Sequence, residues 1–156
     1  MKTEDIIYSL QKYWDSSSPE GGIVTYPGAE IDVSAQSEWI EFWVSQIHGF
    51  PHRRQSPESF SFLVDLHFFS RTANKRLVLS RIDAARVAFQ ATSIVVNSVE
   101  APSTQVGQLR FREPVIRDFT RNETTGHQTA LQHFVMSIEA NALEALNGLL
   151  LAPHSL

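Results

Sequence analysis

The chain has 156 residues, the size of one ordinary domain, and its 42% hydrophobic content suffices for a core. Lys and Arg number 13 against 17 Asp and Glu, and the resulting net charge of -4 argues against generic attraction to nucleic acid or anionic membrane. The absence of cysteine excludes disulfides, thiolate catalysis and cysteine-ligated zinc, no apolar run is long enough to cross a bilayer, and the N-terminus lacks the basic-then-apolar order of a secretory signal.

Thr3 precedes Ile6, Ile7, Leu10, Tyr13 and Trp14 at helical spacing, so an amphipathic helix with Thr3 as its N-cap is expected to Trp14. The Ser, Pro and Gly of Asp15 to Gly22 break it, and a short strand, Ile23 to Tyr26, stops at Pro27 and Gly28 before an irregular loop to Gln36. Trp39 to Ile47 reads as a strand with both faces at least partly covered, Trp39, Trp43 and Ile47 on one side and Ile40, Phe42 and Val44 on the other, a pattern given by burial on both sides or by burial on one and contact on the other. His48 to Glu58, with Gly49, Pro51 and Pro57, is then a loop. Phe60 to Ser70 is the clearest strand, with Phe60, Phe62, Val64, Leu66 and Phe68 on one face and Asp65, His67 and Phe69 on the other.

Asn74 caps a second expected helix, in which Val78, Ile82, Ala85 and Phe89 form the apolar stripe. Strands are expected over Ser93 to Val99, Gln108 to Arg121 and Thr129 to Ala140, joined as a meander through Ala101 to Gly107 and Asn122 to Gln128. Asn141 to Leu151 reads as a short terminal helix or a tail that packs on a neighbour. This order predicts a single α+β domain over residues 1–156, its mainly antiparallel sheet carrying a helix on one face, with an N-terminal helix and a short C-terminal helix.

Charge is unevenly distributed. Residues 1 to 50 hold eight acids against Lys2 and Lys12, whereas Pro51 to Arg121 holds eleven basic residues against six acids. Such a split can be matched within one fold or between copies of it.

No phosphate-cradling glycine loop and no Gly-x-Ser-x-Gly elbow are present. His48 and His52 have helical spacing, but Gly49 and Pro51 between them forbid a helix, and His127 beside Gly126 lies in a turn. Asp65 and His67 share a strand face, where His133 or Glu139 from another strand could complete a metal or acid-base site; the plainer reading is polar residues on the less buried face. Arg110 and Arg112 share a strand face, with Arg117 of opposite parity unless a bulge intervenes, and a solvated or subunit-contacting strand fits them better than a nucleic-acid stripe. Trp39, Phe42, Trp43 and Phe50 are an aromatic concentration suited to a core or to a pocket wall.

The N-terminal helix with Ile6 and Leu10, the strand Glu38-Trp39-Ile40-Glu41-Phe42-Trp43-Val44, the Pro-containing loop, the strand Phe60 to Phe69, the helix Leu77 to Ala85 and the strands beginning at Ile94, Leu109 and Ala130 together resemble the tail-terminator and tail-completion proteins of long-tailed bacteriophages. The resemblance spans Met1 to Ala140 and is one of pattern, without a signature motif. It implies a structural virion protein of the tail and neck, assembled in the bacterial cytoplasm. It also implies no catalytic residue, metal or cofactor. Six copies would form a ring that caps the tail tube and joins it to the neck, with tube protein and head–tail connector as partners and DNA passing through the lumen. A ring needs unlike patches on each copy, and Arg53, Arg54 and Arg71 are the candidate interface residues against acids of the first third. The alternatives are another neck or tail-completion connector, a two-fold interaction domain using a sheet edge, and a small ligand-binding or enzymatic domain using Trp39, Asp65, His67 and His133.

Overall fold

The computed structural model describes residues 1–17, 23–50, 58–72, 74–90, 93–120 and 131–145. Along the chain these form α1 (Thr3–Ser17), β1 (Ile23–Thr25), β2 (Glu38–Phe50), β3 (Ser59–Ser70), α2 (Lys75–Ala88), β4 (Ile94–Asn97), β5 (Gln105–Phe111), β6 (Val115–Asp118) and β7 (Gln132–Glu144). The described strands make one curled, mixed sheet in the order β1-β2-β3-β7-β5-β4, and β6 follows β5 along the same side of β7.

Alternation decides which face is covered. In β3 the even positions Phe60, Phe62, Val64, Leu66 and Phe68 are buried, and their register neighbours Ile40 and Phe42 on β2 and Phe134, Met136, Ile138, Ala140 and Ala142 on β7 extend the same apolar surface. Onto it α1 lays Ile6, Leu10 and Trp14, and α2 lays Val78, Ile82 and Ala85, in one continuous core. Trp14 is the wedge between them. Its indole stacks on Phe89 at 5.6 Å and tilts against Phe42 at 5.9 Å.

Polar contacts fix both helices. Asn74 caps α2 by accepting the Arg76 N–H at 3.0 Å. Arg81, two turns beyond the cap, reaches the sheet, with Nη2 2.8 Å from Glu38 Oε2 in a mostly buried ion pair. In α1 the buried Asp5, not Thr3, organises the first turn: one carboxylate oxygen accepts the Lys2 N–H and the other the Val99 N–H, both at 2.8 Å. One turn later the Ser9 hydroxyl accepts the Asn97 N–H at 3.0 Å. Through these two bonds α1 covers the outer edge of β4.

Four further expectations are corrected. The expected α+β domain with a mainly antiparallel sheet is corrected to a mostly-sheet molecule with a mixed sheet: strands occupy 47% of the described residues, and the 26–37 connection returns the chain so that β1 runs parallel to β2, while the other described strand pairs are antiparallel. The expected C-terminal helix from Asn141 does not start there, since β7 continues to Glu144. Ala140 and Ala142 keep the inward alternation of Ile138, and pairing with β3 and β5 outweighs the helical preference of Ala, Leu and Glu. The rest of that segment lies outside the described residues. β2 continues past Ile47 to Phe50 through a bulge at Gln46, whose φ is 52°, and the bulge turns Ile47 to the core instead of the side of Trp39 and Trp43. The strand expected from Gln108 to Arg121 is two strands broken at Arg112 to Pro114, as a proline that cannot donate to the ladder requires.

Trp14→Ala is expected to cost about 3–5 kcal/mol in urea unfolding, because the cavity opens where the two helices and the sheet meet. A loss below about 1 kcal/mol would show that this junction does not hold the helices down.

Candidate functional site

The odd positions of β3 point away from the helices, and among the described residues no helix packs over them. Register then aligns side chains in rows across β2, β3, β7 and β6. The first row is Trp39, Phe69 and His133, with Phe119 just past the end of β6. Trp39 stacks on Phe69 at 4.8 Å, and Phe69 stacks on His133 at 4.4 Å, with ring planes within 13° of parallel. The Arg71 guanidinium lies 5.1 Å over Trp39, and its Nη1 donates to the Ser34 carbonyl at 3.1 Å.

The second row is Glu41, His67, Val135 and Arg117. Glu41 accepts the indole N–H of Trp39 at 3.2 Å and that of Trp43 at 3.3 Å, and so holds both rings. His67 Nδ1 faces His133 Nε2 at 3.0 Å, an N–H···N contact in which one imidazole donates and the other accepts. A third row, Trp43, Asp65, Ser137 and Val115, follows. Here the Ser137 hydroxyl donates to Asp65 at 2.5 Å.

The fold therefore brings His67 and His133 together and leaves Asp65 one row away, bound to Ser137. Glu139 is paired with Arg112 at 2.9 Å and does not approach the imidazoles. No group of three metal-ligating side chains forms among the described residues. Trp39, Phe42, Trp43 and Phe50 do not share a pocket: Phe42 is in the core, Trp39 and Trp43 are on the opposite face, and Phe50 lies at the far end of β2. Separately, an open hollow of about 450 Å³ sits between the end of α2 and the β5–β6 junction, with Arg86, Arg110 and Arg112 at its wall.

Among the candidate interface arginines, Arg71 is engaged within its own chain on Trp39 and Ser34. Arg53 and Arg54 lie outside the described residues, as do His52 and His127. A bulge does intervene between Phe111 and Val115. Phe111 pairs with Ala140 and Val115 with Ser137, a one-residue change that puts Arg117 on the same face as Arg110. The aromatic row could not be found from sequence, because it exists only once the register of three strands is set; the alternation of Trp39, Trp43, His67 and Phe69 was its one visible trace.

The chain was compared with family models and with curated proteins, and neither comparison gave a match.

Burial lowers the His133 pKa, and the neighbouring His67 lowers it further, against an opposing pull from Glu41. A base whose pKa is depressed on folding binds fewer protons in the native state, so stability is expected to fall as pH drops through the ordinary imidazole value of about 6.5. His133→Phe keeps a ring on Phe69 and removes this titration. Urea unfolding between pH 5 and 8 is expected to show a shallower pH slope in the variant; an unchanged slope would assign it to other groups.

Proposed function

We propose that this protein is a structural component of the tail of a long-tailed bacteriophage, a terminator whose copies form a ring of six that caps the finished tube and joins it to the neck. The observation that carries this reading is the one-sided sheet. Both helices pack on one face, while among the described residues no helix packs on the other, where Trp43 and Val115 are exposed beside the Trp39-Phe69-His133 row, in which Trp39 is itself buried. Such a face suits assembly against other subunits. The arrangement of its polar groups supports the same reading, since Asp65 is bound to Ser137 and Glu139 to Arg112. The net charge of -4 suits a lumen through which DNA slides without being held, because phosphate binding relies on clustered cations.

The partners in this reading are further copies of the chain, the tube protein and the head–tail connector, in the virion. Light scattering across a concentration series, with negative-stain imaging of the same fractions and of fractions mixed with tail tubes, tests it. Six-membered rings with a central hole, free or seated on tube ends, are expected. A two-fold dimer at all concentrations, or a monomer that stays unassembled beside tubes, would contradict the reading.

A further inference from the structure

The sheet's edges are treated unequally. The outer edge of β4 is closed by α1, whose Asp5 and Ser9 accept the Val99 and Asn97 N–H groups. Among the described residues β6 has no such cover: all its residues are exposed, and it pairs only with β7. The Phe119 N–H donates to the His133 carbonyl at 2.8 Å, so by alternation the N–H groups of Ile116 and Asp118 point away from β7. Beside this open edge lie exposed Val115, Ile116 and Phe119 and the cationic Arg117, which has no ion-pair partner among the described residues. An exposed apolar strand edge is a template for a further strand.

Beyond the other side of the sheet, the connection from β1 to β2 supplies a complementary segment. The Pro27-Gly28 turn, closed by the Ala29 N–H on the Tyr26 carbonyl at 3.0 Å with Gly28 at φ 85°, projects an irregular stretch. In it Glu30, Ile31 and Asp32 are all exposed, and Glu30 has no cationic partner among the described residues. Strands β2, β3 and β7 stand between β1 and β6, so the two patches belong to opposite sides of one molecule.

We infer that the open edge of β6 receives the 29–33 segment of a second copy of this chain, with Arg117 of one copy against Glu30 and Asp32 of the next. The inference rests on the ring reading above and names the contact that closes the ring. Each copy carries one of each patch, so the contact is head-to-tail and is satisfied in every copy only by closure. Backbone pairing supplies the affinity, and the charges set the register and orientation.

The test uses the full chain, with folding of each variant checked by circular dichroism and thermal unfolding. Arg117→Glu, and separately the double variant Glu30→Arg with Asp32→Arg, are expected to weaken ring formation at least tenfold in sedimentation and light scattering. The triple variant that reverses both sides is expected to restore it. Ile116→Pro removes an outward N–H and leaves the bonds to β7 in place, so it too is expected to block rings. Wild-type rings undiminished by Arg117→Glu and Ile116→Pro, or a triple variant no better than the single reversals, would overturn this contact and leave the ring reading standing. A wild-type protein that forms no ring, alone or with tubes, would overturn both.

Discussion

The register of β3 is the constraint on which the rest of the structure depends. All 12 of its residues pair with β7, and most also pair with β2, so one alternation sets both faces of the sheet. A slip of one residue would send Phe60 to Phe68 outward and bring Asp65 and His67 under the helices. Two kinds of surface follow from that single choice. The even face is apolar enough to bind two helices, and the odd face carries an aromatic and imidazole row joined by stacking and by the His67–His133 contact.

Control of the sheet's edges is the second organising feature. The short β4 is closed by side chains of α1 buried beside it. At β6, Pro114 interrupts what would be one long strand with β5, and the shift it introduces sets Arg117 on the same face as Arg110, at an edge with outward amides. Among the described residues one edge is thus shielded and the other is left apolar and cationic, and this open edge is the one that the proposed head-to-tail contact uses. Val115, Ile116 and Phe119 would otherwise be a liability for aggregation.

Local pattern made part of this legible. The strict alternation of Phe60 to Phe69 and the spacing of Ile6, Leu10 and Trp14 are properties of adjacent residues, and the structure places a strand and a helix there. Class and boundaries were less visible because they depend on distant partners. Three residues of β1 carry no signal for running parallel to β2, and Ala140 to Glu144 look helical until β3 and β5 claim them. Asp65 and His67 were legible as neighbours on one face, as was the possibility of His133 nearby. That Ser137 would occupy Asp65 and Arg112 would occupy Glu139 required the register.

Amide hydrogen exchange on the protein before and after assembly tests the central claim, a sheet built around β3 whose β6 edge is completed by another copy. The account predicts slow exchange in β3 and β7 in both states, with Ile116 and Asp118 fast in the free chain and slow in the assembled one. Fast exchange at those two amides in the assembled state, or exchange in β3 as fast as at β6 in the free chain, would contradict it.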